Sequence, residues 1–554
     1  MKRLLFAISL LTSSVFAWAV PALPGVKKAL KLTDGTVVTA ELRGDEFCHY
    51  WMADNGTAYI KEDNKDTYKT VCIDSLLKQG ALRRSAANKN RIKRTSSIAR
   101  VGNPTHYTGK KRGLIILIQF PDRPFTDSET ANLRYQQIAN EPNFSSSEGF
   151  TGSVYDYFKA QSRGEFELSF DVVGPYTSER RAKYYGQDYQ GSQDVYVADL
   201  IAEACQQADA EVNFADYDWD GDGEADQVFV LYAGQGQAAG GDENTIWPHE
   251  GKLSAMGSSH QPITLDGVKI DTYACSCELG INKTIDGIGT ICHEFAHCFG
   301  LPDMYDTQSN YGSEYRKYGM SYWDLMDYGN YNNNSFTPAG FTAYERMFCG
   351  WLQPKELTAD TTVTDMKALT DGGEAYLIRN DGHSDEYYIL ENRQLTSWDA
   401  GLPGKGLLIV HVDYNENRWT TNNVNTYQEL CTVIRADNSD NHATNDRKEV
   451  AGDIYPYGAN NSLTNTSVPA ATVNNKNTDG SYLMNKSILN ITQNTDGTMA
   501  FIFKNGIETG ASVVKASDTA NQQAIYTLGG QRLSNEPQSL YKGIYIIGGK
   551  KYIK

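Results

Sequence analysis

Along this 554-residue chain the spacing of apolar residues changes several times, and each change predicts a different element. Lys2 and Arg3 precede an apolar run, Leu4–Ala17, which ends at small residues, Ala17 and Ala19. The run is shorter than the roughly 20 residues a membrane span needs, so residues 1–19 are expected to be a cleaved export signal. Residues 20–80 carry strand-like alternation and are expected to form a prodomain. Residues 81–112 hold ten Lys or Arg, no acid and few apolar side chains, the pattern of an exposed, protease-sensitive linker.

The nearly continuous apolar strand "GLIILIQFPD" (Gly113–Asp122) opens a new region. Ser153–Gln161 and Gln193–Ala210 read as helices, the second with apolar residues at 3.6 spacing, and Asp226–Gly234 reads as a strand. This mixed α+β domain is expected to span 113–352. From 353 to 504, "AYLIRN", "EYYILENR", "GLLIVHVD", "YQELCTVIRA" and "MAFIFK" are strands between turn signals, which predicts an all-β, sandwich-like domain. Residues 505–554 end in "GIYIIGGKKYIK", two alternating strands around Gly548 and Gly549, a small β module.

Composition narrows the function classes. The net charge of -17 argues against nucleic acid and anionic membranes as partners. Nine cysteines in a chain of this size do not make a disulfide scaffold, and the odd number leaves at least one unpaired. Cys292 and Cys298 cannot bridge if their segment is helical, because six residues of helix rise about 9 Å, beyond disulfide reach.

The candidate chemistry lies in "HEFAHCFGLPD", His293–Asp303. On a helix over 288–299, His293 and His297 fall about 40° apart on one face, while Ile288, Ile291, Phe295 and Phe299 cover another and can pack inward. Glu294 sits beside the imidazoles, placed to handle a proton of a metal-bound water without joining the ligands. Two imidazoles and one further ligand leave the open position of a catalytic zinc. Gly300 can take the left-handed conformation that ends the helix and turns the chain, so Asp303 can return as the third ligand.

"HEFAHCFGLPDMYD" resembles the H-E-x-x-H-x-x-G-x-x-D signature of the immune-inhibitor-A-like zinc metallopeptidases, relatives of the metzincins. "SYWDLMDYG" (Ser321–Gly329) resembles their Met-turn, with Met326 beneath the metal. The resemblance spans roughly 113–504 and implies a metzincin-like catalytic domain that hydrolyses peptide bonds. Asp303 stands where the commoner metzincin pattern has a third His, with Asp306 the reserve ligand. Tyr328, two residues after Met326, matches a position that in some metzincins stabilises the tetrahedral intermediate. His249 in "IWPHE" also resembles a family position. The last segment, "IYTLGGQRLSNEPQSLYKGIYIIGGKKYIK", resembles the C-terminal sorting domains of type IX secretion and implies the secretion machinery as a partner.

A second metal is expected in "DYDWDGDGEAD", where Asp218, Asp220, Asp222 and Asp226 have the spacing of a calcium loop and Gly223 allows its bend. The EF-hand pattern itself fails, because Phe229 stands where it needs Glu. Latency is expected from residues 20–80, with Asp45, Glu46, Cys48 or His49 as the blocking ligand; a Cys48–Cys72 disulfide is the alternative use of that thiol. The expected function is a secreted zinc endopeptidase made as a zymogen, with protein or peptide substrates. A catalytically silent surface-binding protein on the same scaffold, or a zinc amidase, are the competing classes.

Overall fold

In the run Leu114–Ile118 every side chain is buried, and alternate residues enter different cores: Ile115 and Leu117 one, Leu114, Ile116 and Ile118 the other. A strand buried on both faces reads as an unbroken apolar run. The computed structural model describes residues 17–62, 65–88, 107–188, 193–255, 261–307, 318–439, 446–506 and four short stretches after residue 524. Residues 1–16, most of the segment read as an export signal, lie outside them. Among the described residues no helix is long and apolar enough to cross a membrane.

The strand Gly109–Gln119 is an interior strand of a six-stranded sheet. It runs parallel to Phe166–Thr177 on one side and to Val228–Gln235 on the other. Beyond Val228–Gln235 come Thr272–Leu279, parallel, and the antiparallel edge strand His249–Lys252. A further extended piece, Ala17–Trp18, pairs antiparallel with that edge. Helix Val197–Ala208 covers one face, and helices Val154–Gln161 and Gly289–Ala296 pack into the core on the other.

The expected boundary at Leu352 is not a break in packing. A five-stranded sheet, which includes His383–Arg393 and Gly406–Asp413, puts Tyr387, Ile389, Leu408 and Val410 into the same core as Phe295 and Phe299. Its other face packs Tyr388, Leu390, Leu407 and Ile409 against a three-stranded sheet built from Thr361–Met366, Ser487–Gln493 and Met499–Lys504. The two sheets thus share a core as a sandwich does, but the first is also a wall of the catalytic region. Residues 1–505 group as one unit and 506–554 as another. In the second, Ile544–Ile547 and Lys550–Ile553 pair antiparallel across Gly548 and Gly549 within a four-stranded sheet.

The expected basic linker is corrected at both ends. Residues 81–88 belong to a helix, Ile73–Asn88, and Gly109 already begins the interior strand. Arg84 is 1% exposed because its guanidinium pairs with buried Asp45, and Arg83 donates to the carbonyl of Phe47. These two arginines complete the N-terminal region, whose five strands between Lys27 and Val71 form an antiparallel sheet. No disulfide forms: Cys48 is buried and its Sγ lies 3.7 Å from the carbonyl of Leu76, while Cys72 is exposed.

Candidate metal centre and active-site cleft

The helix that carries the two histidines, Gly289–Ala296, tightens into a 3-10 turn over His297–Phe299 and stops at Gly300, whose φ is +88°. Gly300 donates its N–H to the carbonyl of His297, the left-handed stop its sequence position predicts. Gly289 is required for another reason: a Cβ there would lie 1.9 Å from the carbonyl oxygen of Asn330. The helix is thereby pressed against the segment that follows Met326.

His293 Nδ1 lies 2.9 Å from the carbonyl of Leu325, and His297 Nδ1 lies 2.8 Å from that of Leu301. A carbonyl only accepts, so each Nδ1 carries the proton and each Nε2 is left as a lone-pair donor. Asp303 Oδ1 sits 3.2 Å from His293 Nε2 and 3.5 Å from His297 Nε2. Tetrahedral zinc with bonds of about 2.0–2.1 Å separates its ligand atoms by about 3.3 Å. Asp303 Oδ1 therefore stands from each Nε2 at about the separation of two corners of a zinc site. His293 Nε2 and Asp303 Oδ1 are buried and make no hydrogen bond among the described residues, as metal-facing atoms should. Asp306, three residues on, instead lies near Arg418, whose charge it stabilises.

Asn422 was not legible as a site residue. Its side-chain oxygen accepts the backbone N–H of Asp303 at 2.7 Å, and its amide donates to Asp303 Oδ2. The carboxylate is thereby held from the side away from the histidines. Met326 is fully buried, and its carbonyl accepts the N–H of Met304, which ties the Met-turn segment to the return stretch after Asp303. Tyr328 is buried with its ring tilted on Tyr322, 5.9 Å between centroids.

Glu294 is fully buried beside the imidazoles. Burial pushes its carboxyl well above the usual carboxylate range, opposed first by the N–H of Val20. That N–H donates to Glu294 Oε1 at 2.9 Å, across 274 residues of sequence. The chain from Ala17 to Leu23 lies in the cleft in front of the helix. Tyr305 donates its hydroxyl to the carbonyl of Ala19 at 2.6 Å, Trp247 its indole N–H to that of Val20 at 2.9 Å, and Tyr331 its hydroxyl to that of Pro21 at 2.7 Å.

The four residues expected to offer a blocking ligand divide into two pairs. Asp45 and Glu46 are buried near Asp303, whose charge, after burial and nearer groups, helps raise both carboxyls. Cys48 and His49 turn elsewhere. Burial pushes the Cys48 thiol up to about 12, and His49 stacks on Trp247 with its pKa lowered to about 4 by burial. His249 lies on the edge strand, bonded to the carbonyl of Trp247 and the hydroxyl of Tyr273. Burial lowers its pKa to about 4 as well, so it is a satisfied neutral core residue.

The acidic loop is brought together only in part. Asp218, Asp220 and Asp222 offer oxygens within 4.8 Å of one another, but Asp226 accepts the N–H of Trp219. Asp218 accepts the N–H groups of Gly221, Asp222 and Gly223.

Compared with known proteins, residues 104–353 match the family model described as immune inhibitor A peptidase M6, catalytic domain. Curated relatives include "Pre-pro-metalloprotease PrtV" of Vibrio cholerae serotype O1, 28% identical over 312 residues, 47% of this chain and 33% of the relative. "Immune inhibitor A" of Bacillus thuringiensis subsp. alesti is 24% identical over 291 residues, 43% of this chain and 39% of the relative. The matched stretch thus spans little more than a third of the relatives' own length.

Proposed function

Because residues 104–353 are a peptidase M6 catalytic domain of the immune inhibitor A family, we propose that the chain is an exported zinc-dependent endopeptidase held latent by its own N-terminal region. The observation that carries the reading is the convergence of His293 Nε2, His297 Nε2 and Asp303 Oδ1 beside a carboxylate, Glu294, that already touches a peptide N–H. His293, His297 and Asp303 would hold the zinc in a metzincin-like arrangement. The chemistry zinc supplies there is acidification of a water and polarisation of a carbonyl. Glu294 takes the proton from the attacking water and passes it to the departing amine. The edge strand His249–Lys252 binds the substrate backbone as it binds Ala17–Trp18.

Latency follows from occupancy. With residues 1–19 removed on export, Val20–Leu23 remains in the cleft before Glu294, and the prodomain buries Asp45, Glu46 and Arg84 close to Asp303. Trypsin sites at Lys89, Arg91, Lys93, Arg94 and Arg100 stand between this cover and the catalytic domain. Export is read from the N-terminal signal pattern and from the C-terminal module. Protein lacking 524–554 should stay inside the cell, and its normal appearance in the medium would remove the sorting role.

Limited trypsin treatment of the full chain should raise hydrolysis of a peptide library. Glu294→Gln should keep its zinc and lose about 10³-fold in turnover. A Glu294→Gln protein as active as its parent would end the peptidase reading. Full activity before trypsin would end the latency reading alone.

A further inference from the structure

In the uncleaved chain, before residues 1–19 are removed, the stretch Ala17–Leu23 lies in the cleft in the way a peptide about to be cut would lie. Its backbone extends antiparallel to the edge strand, with Ala17 opposite Gly251 and Trp18 opposite Glu250. One peptide unit, Ala19–Val20, then stands directly before the helix. Its nitrogen donates to Glu294 Oε1, the atom that must deliver a proton to a leaving amine, and its carbonyl oxygen accepts from Tyr305. Val20 lines a small cavity of about 100 Å³ together with Ala238, Ile285, Tyr331 and Phe336. Downstream carbonyls are held by other donors, Trp247 for Val20 and Tyr331 for Pro21.

We propose that Tyr305 is a catalytic residue whose hydroxyl binds the oxygen of the scissile carbonyl and stabilises the oxyanion that forms on it, the role that sequence position suggested for Tyr328. The assignment rests on the peptidase reading above. The water oxygen adds to the carbonyl carbon, and the C=O electron pair moves onto the oxygen that Tyr305 faces. Glu294 receives one water proton and gives it to the amide nitrogen. The C–N bond then breaks as the pair on oxygen reforms the carbonyl, leaving a carboxylic acid and an amine. A donor already 2.6 Å from that oxygen needs no rearrangement as negative charge grows there, which is how preorganised donors accelerate acyl transfer. Trp247 and Tyr331 meet carbonyls that gain no charge, so their hydrogen bonds belong to binding rather than to the chemical step.

Tyr305→Phe removes only the hydroxyl. In the full chain after limited trypsin, kcat should fall by roughly 10²-fold, with KM for the same peptide, zinc content and melting temperature unchanged. Affinity for a phosphinic peptide, whose tetrahedral oxygen stands in for the oxyanion, should fall by a similar factor. A loss of zinc or of melting temperature would assign Tyr305 a structural role and overturn the proposal. So would a kcat within threefold of the parent, or a drop confined to Tyr328→Phe. If the parent protein hydrolyses no peptide, the peptidase reading fails. Phosphinic-peptide binding still decides on Tyr305, since equal affinity for parent and variant refutes the contact.

Discussion

Among the described residues, two groups of side chains, one of imidazoles and carboxylates and one of carboxylates alone, have the composition of a metal site, and they are built in opposite ways. In the first, His293, His297 and Asp303 are essentially fully buried and aim three atoms at a common point. Every other polar atom of that set is engaged: two Nδ1 on backbone carbonyls and Asp303 Oδ2 on Asn422. In the second, Asp218, Asp220 and Asp222 lie on an exposed loop, and their oxygens accept N–H groups from the loop itself. The difference lies in what holds the ligands. A rigid buried set has already met the cost of ordering and desolvating its donors as part of folding. An exposed carboxylate cluster must exchange its backbone hydrogen bonds and its water for the ion at the moment of binding.

The sharpest way to break this comparison is to remove ligands from the buried set. Asp303→Ala should reduce zinc from one per chain to near none by elemental analysis, whereas Asp306→Ala should leave zinc unchanged. The reverse result would move the third ligand to Asp306. Asn422→Ala leaves all three donors in place but frees the Asp303 carboxylate to rotate. Zinc affinity by chelator competition should weaken about 10–100-fold, the usual effect of losing a partner that orients a ligand. Unchanged affinity would show that the fold around Asp303 suffices without the amide.

The acidic loop gives the smallest effect. If it holds calcium, adding millimolar calcium after chelation should raise the melting temperature by a few degrees, since an ion that binds only the folded state stabilises it by mass action. Asp220→Ala with Asp222→Ala should remove the response. A parent protein indifferent to calcium would leave the cluster as a turn whose carboxylates serve its own backbone, and would widen the contrast with the buried set.

The site was legible to the extent that it is local. Spacing of four residues stacks His293 over His297 because an α-helix has 3.6 residues per turn, and Gly300 marks the turn because φ near +88° favours glycine there. Placing Asp303 rather than Asp306 on the metal side required the path of the chain after Gly300. Asn422 could not be found, since it comes from a loop 119 residues away, beyond several strands of the second sheet. For tyrosine, a position two residues after a methionine says where Tyr328 sits in the chain, but hydroxyl direction depends on packing, and its ring lies tilted on Tyr322.

Among the larger elements, the run Leu114–Ile118 and the apolar runs between turn signals at 376–393 and 406–413 determined their strands by themselves, because short apolar runs bounded by turns are the form in which strands bury their side chains. The sequence likewise determined the helix at 289 and the pair of strands around Gly548 and Gly549. What only the tertiary structure decided is who shares a core with whom. Residues 81–88, which sit in a run of ten Lys or Arg with no acid, close a helix because Asp45 is buried where Arg84 can reach it. The strands after Leu352 do not fold away as a separate sandwich, because one face of their sheet is apolar enough to complete the catalytic core. Residues 17–23 lie in the cleft because an edge strand leaves its N–H and C=O groups open to any extended chain, and the nearest one supplied is the protein's own N-terminal segment. Local geometry is fixed by covalent spacing, whereas these pairings depend on surfaces that exist only after the chain has folded.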